Sequence, residues 1–344
     1  RLLLSYLLPG FKNQLNTYSF GAPNTDDIII PELIAEKEGF NYIPYLLDQD
    51  YLDHHFLQNA KETIHFSNGT RNYKRSHYIY TIKQVSSISD TLITGIFGDE
   101  ILKVGKPQGN AVISHNSVKF IESGFNVNQL VACFIESKIP DLFHVNCRAI
   151  TDEFRSRLIP IKERFGNFER SGQQYFAFRF LLNLRKYFGN EANSYNDFAN
   201  CYSPFVDYDF LKEFARTKFM VSQYDFKTPT FRQKAESSWL YYKLTAKNNP
   251  ALTYYPSSRG FSMKETNSLS GIPKILLNKF VKKRFKKGID VFNTKFTDQL
   301  FYNMIENNNL LNEKLLFREN EYTASPEEFH SLLYWASYVN KNFI

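Results

Sequence analysis

The chain has 344 residues, 43% of them hydrophobic and 17% aromatic, with 42 Lys and Arg against 35 Asp and Glu for a net charge of +7. A globular protein of this length exceeds what one core usually serves, so an α/β unit followed by a helical unit is expected. Cys133, Cys147 and Cys201 stand apart without CxxC spacing, which excludes a disulfide framework and a zinc or iron–sulfur centre and favours a reducing cytoplasm, and no apolar stretch approaches the length of a membrane span.

In chain order, residues 1–8 form an apolar helix stopped by Pro9-Gly10. A strand follows near Leu15–Gly21, then a helix from about Asp27 to Glu38 and a strand at Tyr42–Leu47. Helical segments span Tyr51–Thr63 and Tyr73–Ser87, and a third strand covers Asp90–Thr94. Strands alternating with helices predict right-handed crossovers and a parallel sheet with flanking helices, an α/β fold. Asp90–Thr94 is a short β-branched apolar run ended by Gly95, as for a parallel strand covered on both faces.

Thr94-Gly95-Ile96-Phe97-Gly98-Asp99-Glu100 carries two glycines and two adjacent carboxylates at the carboxyl end of that strand, the edge where open α/β sheets bind ligands. Asp99 suits a Mg²⁺ that bridges phosphates, because Mg²⁺ takes few protein carboxylates and completes its shell with phosphate oxygens and water. Past residue 115 the pattern turns helical. Val118–Phe120, Leu130–Ile135, Phe154–Phe165, Tyr175–Phe188, Phe210–Phe214 and Trp239–Leu244 repeat apolar positions at helical spacing, with no strand between them. The division falls near 115, with an α/β unit at 1–115 and a helical region at 116–344.

Other features point to surface structure. His54 and His55 are neighbours on a helix beside Asp53 and do not converge on one ion. Asn68-Gly69-Thr70 reads as a turn, and no Gly-x-Ser-x-Gly elbow or Cys/His pair suggests nucleophilic hydrolysis. Residues 272–288 place seven basic side chains around Ile272, Leu276, Phe280 (or Val281) and Phe285 at helical spacing, a solvated face or a contact for an anionic surface. The remaining charge is scattered, which argues against a dedicated nucleic-acid site.

Four segments in order carry a family resemblance: Tyr18-Ser19-Phe20-Gly21 with Asp26-Asp27 after it, the Thr94–Glu100 loop with Gly105 beyond, Tyr202-Ser203-Pro204-Phe205-Val206-Asp207, and Ser258-Arg259-Gly260-Phe261. Together they resemble the synthetase domain of the asparagine synthase family from residue 1 to about 265. The resemblance implies an adenine nucleotide alpha-hydrolase-like fold and an ATP-dependent ligase. Such an enzyme adenylates a carboxylate substrate, releases pyrophosphate and lets an amine or ammonia donor displace AMP. It assigns Ser19, Phe20 and Gly21 to the adenine and ribose wall, Thr94 and Gly95 to the α-phosphate side, and Asp99 with Glu100 to Mg²⁺. Lys103 would add positive charge, and Arg259 would stabilise charge where the family presents a catalytic lysine. Ile96, Phe97, Tyr202 and Arg259 depart from the family pattern.

In that family the opening helix follows an SGGxDS loop that cradles the ATP phosphates. The chain begins at Arg1 without that loop and its strand. The resemblance therefore implies a fragment with no turnover of its own, a sheet one neighbour short beside Thr94, and Gly21 and Gly95 at a common edge. A glutaminase domain would lie outside the sequence. Two alternatives stand: a synthetase-like binding or scaffold protein without catalysis, and an RNA-modifying ATP-pyrophosphatase, which would want cysteine pairs or an appended basic domain.

Overall fold

The computed structural model describes residues 1–102, 115–136, 147–223 and 231–268, together with 271, 273–275 and 277. It is mostly helical with a small parallel sheet. Helix α1 (Leu2–Phe11) leads into β1 (Asn16–Gly21), which pairs in parallel with β2 (Asn41–Leu46), Asn16 opposite Asn41 and Gly21 opposite Leu46. The crossover is α2 (Asp26–Glu38), with two acids in its first turn, where the helix dipole favours them, and Gly39 ending it at a left-handed φ of 69°.

Beyond β2 the chain makes a π turn at Tyr51–His55 and continues as α3 (Phe56–Phe66). Phe56, Ala60 and Ile64 recur every fourth residue and so share one face, which is fully buried with Tyr51 and Tyr73. After a 3₁₀ turn at Tyr73–Ser76 comes α4 (His77–Ser86), whose Ile82 and Val85 pack against Leu92 of β3 (Thr91–Ile93). A short helix, α5, opens at Gly98–Leu102.

The helical region begins with α6 (His115–Glu122), α7 (Val127–Glu136), α8 (Cys147–Phe165) and α9 (Ser171–Phe178). Val118, Ile121, Phe125, Val131, Leu158, Phe165 and Phe178 bury their side chains against one another there. A π-helical stretch at Arg179–Gly189 joins α9 to α10 (Asn190–Asn196), and α11 (Tyr208–Ala215), α12 (Phe231–Asn248) and α13 (Met263–Thr266) follow. Among the described residues no helix is long and apolar enough to cross a membrane.

Two expectations are corrected. A strand does interrupt the helical region: β4 (Asn200–Tyr202) pairs in parallel with β3, the Asn200 N–H donating to Asp90 O at 2.7 Å and the Thr94 N–H to Tyr202 O at 2.8 Å. Three residues with Tyr202 59% exposed leave no apolar alternation to read, and only the pairing with β3 makes this segment a strand. The second correction is that β3 is not covered on both faces, since Leu92 is buried but Ile93 is 44% exposed. With Tyr195 of α10 packed on Ile82 and Leu92, elements from beyond residue 115 share a core with the α/β layer. Among the described residues β1 pairs only with β2 and β3 only with β4, so the layer is two parallel pairs and not one continuous sheet.

Candidate functional site

At the carboxyl ends of β1 and β3 lies an open cavity of about 940 Å³. Of the residues singled out in the sequence, Ser19, Phe20, Thr94, Gly95 and Arg259 all line it, although they come from three distant segments. The Ser19 hydroxyl donates to Asp27 O at 2.6 Å and shares a hydrogen bond of 2.7 Å with the Tyr42 hydroxyl, so it ties β1 to α2 and β2. Phe20 is backed by the rings of His77 and Tyr78, with centroids 4.9 and 5.1 Å away.

Gly21 is buried and is not among the described lining residues of the cavity. A β-carbon there would meet Asp27 Cβ and Thr25 Oγ1 at 3.1 Å, so its role is the close approach of β1 to the start of α2. Gly95 has open space around its missing β-carbon and leaves bare backbone facing the cavity. At Gly98 the reason is packing: a β-carbon would come within 2.8 Å of the Phe205 ring.

Asp99 and Glu100 line a second, neighbouring cavity of about 680 Å³ and are not among the described lining residues of the first. Tyr241, reaching in from α12, lines both. Its pKa is raised mainly by burial, with the charge of Asp99 adding to the effect. The Glu100 backbone oxygen accepts from Arg179 at 3.2 Å. Two substitutions within the motif are absorbed by packing. Ile96 joins the apolar cluster of Leu92 and Tyr195 while its carbonyl accepts from Ser203 at 2.7 Å. Phe97 takes a left-handed φ of 71°, a conformation that costs a bulky residue about 1–2 kcal/mol, and its ring meets Phe188 at 5.5 Å. Lys103, Gly105 and most of the basic segment 272–288 lie outside the described residues; within that segment Lys274 pairs with Glu265.

Arg259 sits on a turn built as its sequence suggests. The Gly260 N–H donates to Ser257 O at 2.7 Å with Gly260 at φ 80°, and the Ser257 N–H donates to Phe261 O at 3.0 Å. The Arg1 guanidinium donates to Tyr255 O at 2.7 Å and to Pro256 O, anchoring this turn to the start of α1. On the other side the Tyr255 hydroxyl donates to Glu38 at 2.8 Å, and burial together with that carboxylate pushes the phenol up to about 12.

Arg1, Asp26, Asp27 and Tyr241, outside the sequence-predicted site residues, also line the cavity. Asp26-Asp27 had a visible signal, an acidic pair opening a helix, whereas Arg1 and Tyr241 had none. The cavity thus sets two arginines against two carboxylates. Among the described residues no group of three or more His, Cys, Asp or Glu side chains converges as a metal site. A cation there would need oxygens from its ligand, as Mg²⁺ does with phosphates.

No family model, curated protein or solved structure matches this chain.

The outlying histidines stay on the surface. His54 Nδ1 lies 3.0 Å from Asp50 and His55 Nε2 4.0 Å from the same carboxylate, with His54 and Asp50 exposed and His55 half-buried. His77 behaves differently. Burial first, then Arg75, push its pKa down to about 3. Between that value and the ordinary histidine range near 6.5 the unfolded chain binds a proton that the folded chain refuses, so stability falls as the pH falls. The slope is at most about 1.4 kcal/mol per pH unit for one group. Urea midpoints from pH 7 to 5 should therefore drop more steeply in the wild type than in His77→Phe. Parallel slopes would show that His77 protonates freely in the folded chain.

Proposed function

We propose that the cavity is the nucleotide site of an asparagine synthase-like, ATP-dependent amide ligase. One observation carries the reading: the ends of two parallel strands, a bare-backbone glycine and an arginine-bearing turn from 160 residues further on meet in a single cavity of nucleotide size. In this reading Ser19 and Phe20 form the adenine and ribose wall, Gly21 behind them lets β1 approach the start of α2, and Thr94 and Gly95 lie along the α-phosphate. A carboxylate oxygen of the substrate attacks the α-phosphorus, the bond to the β-phosphate oxygen breaks, and pyrophosphate leaves. The nitrogen donor then attacks the carbonyl carbon and AMP departs. Asp99 and Glu100, which line the neighbouring cavity, would be the residues to hold a Mg²⁺, and that ion would supply charge screening for the phosphates. Arg259 holds phosphate oxygens through its planar fork, which serves charge and geometry but not proton shuttling. A cytoplasmic location and the adenine nucleotide alpha-hydrolase-like fold belong to the same proposal.

The second reading, a synthetase-like protein that binds without catalysing, is favoured by Ile96 packed into an apolar cluster and by Asp99 lining the second cavity and not the first. Pyrophosphate release by the full-length protein separates the two. Asp99→Asn should keep the fold, because the side chain is exposed, and should abolish Mg²⁺-dependent release. Wild-type-like release from that variant, with loss in Asp26→Asn or Asp27→Asn, would move the metal to the carboxylates inside the cavity. No release from the unsubstituted full-length protein with any carboxylate would leave the binding role as the function.

A further inference from the structure

The turn that carries Arg259 closes on itself. Pro256 and Ser262 form an antiparallel bridge, and the Ser257 N–H and hydroxyl both donate to Phe261 O, at 3.0 and 2.9 Å. These bonds shape the tip, but they do not fix how far it stands from the opposite wall of the cavity. That is set at its base, in the bend formed by residues 249–255. Leu252 there is fully buried and packs with Leu8 of α1 and Ile34 of α2. Such an apolar contact gives the bend its depth without a direction, because the hydrophobic effect is non-directional.

One carboxylate supplies the direction. Glu38, half-buried in the last turn of α2, accepts from the Asn249 amide at 2.9 Å on one oxygen and from the Tyr255 hydroxyl at 2.8 Å on the other. It therefore staples both ends of the bend to α2, while the Arg1 guanidinium holds the carbonyls of Tyr255 and Pro256 from the side of α1. A carboxylate in the last turn of a helix is opposed by the helix dipole, so Glu38 gains nothing within α2 itself. What it gains comes from Asn249 and Tyr255.

The opposite end of α2 carries Asp26 and Asp27, which line the cavity. The 13 residues of the helix span about 20 Å and act as a stiff strut. Its first turn thus forms part of the cavity wall and its last turn holds the base from which Arg259 projects. We propose that Glu38 is a positioning residue for Arg259: by stapling Asn249 and Tyr255 to α2 it sets where the Arg259 guanidinium meets an anion in the cavity. The identity of that anion as a polyphosphate rests on the nucleotide reading, whereas the staple does not.

Full-length protein carrying Glu38→Ala, Glu38→Gln or Tyr255→Phe should be compared with the unsubstituted chain, each also in an Arg259→Ala background. Amide hydrogen exchange over 256–262 should quicken about tenfold in Glu38→Ala and stay unchanged over 56–64 of α3. Pyrophosphate release should fall about tenfold in kcat, as for a charge held slightly out of place. Glu38→Gln and Tyr255→Phe should fall between, since the first keeps one accepting oxygen and the second keeps the bond from Asn249. In the Arg259→Ala background Glu38→Ala should cost less than about twofold more, because the group it positions is gone. A further loss of full size in that background, unchanged exchange over 256–262, or exchange that quickens equally in α3 would each overturn the proposal. No release from the unsubstituted protein would end the nucleotide reading instead, and the exchange comparison would still decide the staple.

Discussion

Glu191→Ala should lower the unfolding free energy by about 3–5 kcal/mol, the scale seen when one partner of a buried ion pair is removed. The Glu191 side chain on α10 is 3% exposed, and its carboxylate accepts from Arg71, itself buried, from Arg75 at 3.2 Å and from the Tyr195 hydroxyl at 3.4 Å. Truncation removes the carboxylate that offsets the desolvation of the buried Arg71 and the partly buried Arg75 guanidinium groups. The loss should spread toward the site, because the Arg75 guanidinium lies over the Tyr78 ring at 4.7 Å and that ring backs Phe20. Urea titration gives the number. The paired change Arg71→Met with Glu191→Leu should recover only part of it, since it removes the buried Arg71 charge but leaves the partly exposed Arg75 without its carboxylate. A loss below about 1 kcal/mol for Glu191→Ala would mean that the cluster behaves as a surface pair.

Arg259→Ala in the full-length protein should reduce pyrophosphate release by about 10²–10³-fold, the size of effect found when one preorganised charge-stabilising donor is deleted. Stability should not change, because the side chain is exposed on a turn whose backbone bonds do not involve the guanidinium. Arg259→Lys should retain a measurable part of the rate. A lysine restores the charge and loses the two-pronged geometry, so the ratio between the two variants separates charge from fork. Unchanged release from Arg259→Ala would remove this residue from the chemistry and leave it a surface arginine.

Much of the architecture follows from local pattern. The four-residue spacing of Phe56, Ala60 and Ile64 writes α3 into the chain, and the acidic pair at Asp26-Asp27 with Gly39 after Glu38 brackets α2. β1 and β2 fall within a residue of where their runs suggest, and Pro256 with Gly260 marks the turn that carries Arg259. These features are legible because each rests on backbone conformation or on burial along a single element.

Other properties were decided by elements distant in sequence. β4 becomes a strand only through bonds to residues more than a hundred positions earlier, and its own side chains give no alternation. The cavity gains Arg1 and Tyr241 because α12 packs along α1, a contact between helix faces that neither helix announces. Asp99 follows the Thr94-Gly95 pair by only a few residues, yet it lines the second cavity and is not among the described lining residues of the first, with the left-handed Phe97 and the Gly98 packed on the Phe205 ring between them. Local sequence determined most helices and turns and the strands β1, β2 and β3, since hydrophobic period and glycine geometry act within a few residues. Which side chains share a cavity was left to the tertiary structure, because that depends on how separate faces close over one another.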